Sequence, residues 1–259
     1  MNKPLVIANW KSNPATLKGA TLLAEKIERG VSGTRKAEIV IAPPHPFIPA
    51  VSGTLKKIKL GAQNCFFAKG PYTGEISAEQ LGNLGVEYVI IGHSERKIYL
   101  GETDELINKK VRAVLENKMS PVLCVGEKER VGDEIPKVIS EQLKNALRGV
   151  KAGSAKNIIV AYEPIWAIST MPGARPDTPD NAFRVMLYLR RVLTELFGNR
   201  AANAVRIIYG GSVRASNIAL FLQEGGMAGA LVGGASLDAE EFLKIISLSQ
   251  KVFRTRQHG

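Results

Sequence analysis

The sequence predicts an α/β protein, a single (β/α)8 barrel closed by parallel strands, and three observations predict it. Short β-branched or apolar runs recur eight times along the chain, amphipathic stretches separate them, and no linker or composition break divides the 259 residues. Barrels of this kind commonly need about 250 residues as one domain. A chain that is 45% hydrophobic and 23% charged has the composition of an ordinary folded domain.

The expected strands are Leu5–Trp10, Glu38–Ala42, Ile58–Asn64, Tyr88–Gly92, Pro121–Val125, Ile158–Glu163, Val205–Tyr209 and Gly229–Val232. They are short and nearly continuously apolar, as parallel strands covered on both faces must be. Between them the spacing turns helical. Asp104–Lys118 lines up Leu106, Ile107, Val111, Val114 and Leu115. Glu134–Arg148 does the same with Ile135, Val138, Ile139, Leu143 and Leu147. Thr178 followed by Pro179 reads as an N-cap and first helical residue, for a helix through Phe197 that Gly198 and Asn199 end. An open doubly wound sheet is the main rival, and no GxGxxG opens the first helix as that fold would favour.

Composition removes several classes of function. The net charge of +11 attracts anions, yet the basic residues are spread along the chain with no aromatic–basic module. A small anionic substrate therefore fits better than a nucleic-acid partner. The longest apolar runs, about five residues, are far too short to span a membrane. The start MNKPLVIANWK carries no secretory pattern, and Cys65 and Cys124 form neither a disulfide framework nor a metal motif. A reducing cytoplasm is the expected compartment. No histidine or cysteine spacing suits zinc, and no lysine follows the glycines as a Walker loop demands. Neither a zinc site nor a Walker-type nucleotide loop is expected.

In a barrel the active face is built from the strand ends and the loops after them. There the first strand ends in Asn9-Trp10-Lys11 and the third in Gln63-Asn64. The fourth runs into Gly92-His93-Ser94-Glu95 and the sixth into Glu163, while Gly210-Gly211-Ser212 and Gly233-Gly234 follow the last two. Each has a plain reading. Glu163 fits a backbone cap or a lysine partner as well as a general base whose proton affinity rises when water leaves. His93 fits a satisfied polar residue, or a neutral imidazole kept so by helix N-terminal N–H groups. Lys11 reads as a solvated rim lysine or as the stabiliser of a substrate oxyanion and phosphate, with Asn9 orienting its neighbours and Glu95 holding the lysine. The glycine pairs read as tight turns, or as a phosphate cradle of backbone N–H groups to which Ser212 adds a hydroxyl. His45 and His258 lie away from this rim and receive no role.

Over nearly its whole length the chain resembles the triosephosphate isomerase family. The resemblance is carried in order by Asn9-Trp10-Lys11, Gly61-Ala62-Gln63-Asn64, Thr73-Gly74-Glu75 and Ile91-Gly92-His93-Ser94-Glu95-Arg96. It continues through Cys124-Val125-Gly126-Glu127, Ala161-Tyr162-Glu163-Pro164-Ile165-Trp166-Ala167-Ile168, Tyr209-Gly210-Gly211-Ser212-Val213 and Leu231-Val232-Gly233-Gly234. It implies a cofactor-free isomerase of glycolysis and gluconeogenesis, interconverting glyceraldehyde 3-phosphate and dihydroxyacetone phosphate. It implies that Glu163 is the base and His93 the electrophile, that Lys11 and Asn9 face substrate, and that Glu95, Ser94 and Cys124 support them. Ser169, Ser212, Gly233 and Gly234 would hold phosphate under a lid at 164–178. A leaky lid would add methylglyoxal formation as a side activity. It also implies a homodimer joined by the loop at 65–78, with no dedicated nucleic-acid or membrane partner. Residues 250–259 are expected to form a basic tail.

The lid departs from the family pattern. Where the family usually has Gly-Thr-Gly-Lys after Trp166-Ala167-Ile168, this chain has Ser169-Thr170-Met171-Pro172-Gly173-Ala174-Arg175-Pro176-Asp177, about two residues longer and richer in proline. Ser169 retains the N–H that a phosphate contact uses, provided its dihedrals suit a residue with a Cβ. Ser12 and Lys97 also depart, standing where methionine and a second arginine are common.

Overall fold

The computed structural model describes residues 3–31, 36–132, 134–168 and 173–255. Its strands are β1 (Leu5–Asn9), β2 (Glu38–Ala42), β3 (Lys59–Ala62), β4 (Tyr88–Ile91), β5 (Ser120–Val125), β6 (Ile159–Tyr162), β7 (Arg206–Tyr209) and β8 (Gly229–Val232). All pair in parallel with their sequence neighbours, and β8 returns to β1, so the sheet closes into a barrel. Closure removes both sheet edges and sends every strand end with a loop after it to one rim. The strands match the sequence reading to within two residues at each end.

Alternation along each strand divides the core in two. Leu5, Ile7, Val40, Ala42, Tyr88, Ile90, Val122 and Cys124 belong to the cluster that fills the barrel interior. Their neighbours Val6, Ala8, Ile39, Ile41, Val89, Ile91, Leu123 and Val125 face outward into the helix layer. Both faces of a strand are dry, which is why the runs lack polar alternation.

The helices in that layer are α1 (Leu17–Gly30), α2 (Ile48–Ser52), α3 (Ala78–Asn83), α4 (Ser94–Leu100), α5 (Asp104–Glu116), α6 (Lys137–Ala146), α7 (Pro179–Phe197), α8 (Asn199–Ala204), α9 (Ile218–Gln223) and α10 (Ala239–Thr255). Helix α7 has the expected bounds, with Thr178 accepting the N–H of Asn181 as its N-cap and Gly198 at φ 78° ending it. Asn199 does not share in that ending: it starts α8. Helix α6 is shorter than expected because Pro136 occupies its N-cap in an extended conformation. Its buried stripe is Ile139, Leu143 and Ala146, and Val138 faces solvent. The expected tail from 250 begins inside α10, and residues 256–259 lie outside the described part. Among the described residues no helix is long and apolar enough to cross a membrane.

Candidate active site

One cavity of about 770 Å³ opens at the C-terminal rim, and Asn9, Lys11, His93, Glu163, Ser212, Gly233 and Gly234 all line it. Seven residues singled out in the sequence thus converge from five strand ends.

Glu163 follows β6 directly and is 2% exposed. Its Oε2 accepts the backbone N–H of Ser94 at 3.0 Å. Its Oε1 lies 3.2 Å from His93 Nε2, off the line of a hydrogen bond, and this buried oxygen has no hydrogen-bond partner among the described residues. Two glycines make room for it. A Cβ at Gly210 would stand 2.9 Å from Glu163 Cγ, and one at Gly126 would stand 1.8 Å from Glu163 O. Any side chain at either position drives the carboxylate or its peptide from its place.

His93 ends β4 as the N-cap of α4, where its Nδ1 accepts the N–H of Glu95 at 3.2 Å. With Nδ1 accepting, Nε2 is the ring nitrogen left to donate, and it lies on the Glu163 side of the ring. Lys11 adopts φ 52°, a left-handed conformation unusual for a lysine. Asn9 Oδ1 accepts its N–H at 3.0 Å, and Gln63 Nε2 donates to its carbonyl at 2.8 Å and to Ala42 O at 2.9 Å. Its ammonium reaches Glu95 Oε1 at 2.5 Å. The site therefore sets a buried carboxylate, a ring N–H donor and a lysine around one cavity.

The model of the family described as Triosephosphate isomerase matches residues 4–249. The chain belongs to the triosephosphate isomerase family. It is 44% identical to the triosephosphate isomerase of Alkaliphilus oremlandii over 252 residues, covering 95% of this chain and 100% of that one. The enzyme of Moorella thermoacetica is 42% identical over 255 residues, covering 96% and 100%. That of Caldanaerobacter subterraneus is 43% identical, covering 95% and 100%.

Within this triosephosphate isomerase barrel the phosphate-cradle candidates stand together on the wall opposite β4. Gly234 opens a short 3-10 turn, Gly234–Leu237, and Ser236 donates back to Gly233 O from both its N–H (2.8 Å) and its hydroxyl (2.6 Å). Ser212 Oγ donates to Ala167 O at 2.8 Å, tying the loop after β7 to the base of the lid. Cys124 is not on the cavity wall. It is wholly buried behind it, and burial holds its thiol well above the usual range, with Glu163 acting in the same direction. Ser94 contributes through its peptide, and its buried hydroxyl has no partner among the described residues.

Of the lid, 164–168 and 173–178 are described, and Ser169 lies outside the described residues. Trp166 Nε1 donates to Glu127 Oε1 at 2.9 Å, an oxygen that also accepts from Arg130 and from Tyr162 OH. Arg175 lies 4.9 Å over the Trp166 ring and donates to Arg130 O at 2.8 Å. Asp177 accepts from Thr178 N, Asn181 and Tyr209 OH, while burial pushes its carboxyl above the usual range.

Sequence reasoning gave no role to Gln63, Gly126 or Glu127, although each lay in a matching motif, and it read Gly210 as a turn or phosphate-cradle glycine, not as the space beside Glu163. It also gave no role to His45, which borders a second cavity and bonds Asn64 O through Nε2 at 2.9 Å. Among the described residues no group of three or more His, Cys, Asp or Glu side chains is placed to hold a metal ion.

Proposed function

We propose that this barrel interconverts D-glyceraldehyde 3-phosphate and dihydroxyacetone phosphate, with Glu163 as the base. The observation that carries the reading is the unpaired Glu163 Oε1 beside a His93 whose Nε2 is the ring nitrogen left to donate. Glu163 takes the carbon-bound proton next to the carbonyl, forming a cis-enediol(ate), and returns it at the neighbouring carbon. His93 Nε2–H and the Lys11 ammonium stabilise the oxygens on which charge develops, and Asn9 holds the Lys11 peptide. Electrons are only redistributed within the substrate, so no cofactor enters.

The phosphate sits against Ser212, Gly233 and Gly234, with the Ser169 N–H closing on it from the lid. Gripping the phosphate uses remote binding energy at the reacting carbon and excludes water from the base. Glu95 anchors Lys11, Ser94 anchors the resting carboxylate, and Cys124 packs behind them. The working form is a homodimer in the cytoplasm. The exposed tip of the loop at 65–78 inserts into a partner's second cavity beside Asn9, Lys11 and Glu95.

A coupled assay run in both directions tests the base on Glu163→Asp, which withdraws the carboxylate by one methylene. The expected result is a kcat about 10²–10³-fold lower with the fold retained by circular dichroism. A variant with wild-type turnover overturns the assignment.

A further inference from the structure

Strand β5 outruns one of its neighbours. β4 pairs with it only as far as Ile91 opposite Leu123, because Gly92, at φ 71°, turns the chain into α4. Beyond that point the backbone groups of β5 divide by parity. Val125 and Glu127 face the β6 chain, accepting the N–H groups of Glu163 (2.8 Å) and Ile165 (3.0 Å). Cys124 and Gly126 face the space that β4 has left, and buried backbone groups there need other partners.

Two side chains supply them. Lys97 on α4 donates from Nζ to Cys124 O at 3.1 Å. Gln142 on α6 satisfies both groups of Gly126: its Oε1 accepts the N–H at 2.9 Å and its Nε2 donates to the carbonyl at 3.0 Å. Lys97 also donates to Gln142 Oε1 at 3.3 Å, joining the two. Burial lowers the affinity of the Lys97 ammonium for its proton, so the cation depends on these oxygens. Gly126, held in this way, packs closely against the Glu163 peptide, leaving no room for a side chain: a Cβ on it would lie 1.8 Å from Glu163 O.

We propose that Gln142, supported by Lys97, is a positioning residue for Glu163: its amide stands in for the absent strand and fixes the peptide against which the base is carried. The inference rests on Glu163 being the base. The amide touches no substrate. Its effect arises because misplacing a catalytic group by about 1 Å costs about 10²-fold in rate.

The test is a double-mutant cycle on the full-length protein: wild type, Gln142→Met, Glu163→Asp and the pair, assayed in both directions. Gln142→Met keeps the side chain's length and removes both hydrogen bonds. It is expected to lower kcat about 10-fold or more, with KM changed by less than about twofold. Because both changes act on one carboxylate, the pair should be little worse than Glu163→Asp alone. Gln142→Glu, which keeps the acceptor for Gly126 N–H and Lys97, should recover part of the loss. Wild-type kcat in Gln142→Met, or losses that multiply in full, overturns the proposal. Wild-type kcat in Glu163→Asp removes the base and this proposal together, whereas a slow Glu163→Asp beside an unimpaired Gln142→Met removes this proposal alone. If Gln142→Met does not fold, Lys97→Met replaces it in the cycle with the same expectations, and Lys97→Arg should restore kcat.

Discussion

The backbone N–H of Ser94 donates to Glu163 Oε2 at 3.0 Å across 69 residues of sequence. One carboxylate oxygen is thereby fixed by the first peptide of α4, while the other has no hydrogen-bond partner among the described residues. This geometry needs the space that Gly210 leaves. Gly210→Ala puts a methyl 2.9 Å from Glu163 Cγ and 3.2 Å from Tyr162 O, and the backbone oxygen does not yield. The expected result is kcat lower by about 10-fold or more, with about 1–3 kcal/mol of stability lost to overpacking. Steady-state kinetics and a urea titration check both parts.

Lys11 combines strain with charge. A left-handed conformation costs a non-glycine residue about 1–2 kcal/mol, which Lys11→Gly relieves. Glycine also loosens the unfolded chain, by about 0.4–1 kcal/mol in the opposite sense. The Glu95 pair, partly exposed at both ends, adds little to stability. Lys11→Gly should therefore unfold within about 1 kcal/mol of wild type and yet lose about 10²-fold or more in kcat/KM. Equal losses in both would mean that the lysine holds the fold instead of serving the reaction.

At the opposite end of the barrel, Glu38, Lys59, Tyr88 and Arg206 are the first residues of β2, β3, β4 and β7 and form one network. Burial pushes the Glu38 carboxyl up, but hydrogen bonds from Tyr88, Lys59 and Arg206 outweigh it and bring the value from 4.5 to about 2. A carboxyl lowered on folding adds stability that is whole above its ordinary value and is lost as pH falls toward the folded value. At pH 7 Glu38→Gln should cost on the order of 2 kcal/mol, less than a fully buried pair. The gap from wild type should narrow as pH falls from 4.5 toward about 2. Denaturant titrations across that range measure it, and a gap independent of pH would contradict the assignment.

How much of this was legible in the sequence depended on the range of each signal. Local signals read well: Thr178-Pro179 and Gly198 bound α7 where expected, and seven of the site residues named at strand ends met in one cavity, while Gln63, Asn64 and Glu95 border the second. Val138 misled because three- and four-residue spacings allow neighbouring frames, and only Pro136 at the cap, with the packed barrel, selects the one that buries Ile139. Asn199 misled because a residue that suits helix ends suits helix starts as well. Gly126, Gly210 and Gln142 were not legible as supports of Glu163. Their importance lies in closeness between chain segments brought together by barrel closure, which no local pattern encodes.

The loop at 65–78 yields the last prediction. Its stem is internally bonded, with Phe66 N–H on Ile76 O at 2.7 Å, and the rings of Phe66, Phe67 and Tyr72 pack together. Its tip, from Lys69 to Glu75, is exposed, as are Tyr99 and Leu100 beside the second cavity. On an isolated chain Thr73→Arg would be a surface change, worth within about 0.5 kcal/mol. If instead the tip fills a partner's cavity, the arginine brings an unpaired charge beside the partner's Lys11 and the association fails. The wild-type chain is then expected to sediment at twice its own mass and Thr73→Arg as a monomer. The monomer's kcat should fall about 10-fold or more, because the lysine loses a wall while every residue of the cavity stays in place. Sedimentation equilibrium run alongside the assay decides: a variant that remains dimeric with full activity places the loop outside the interface.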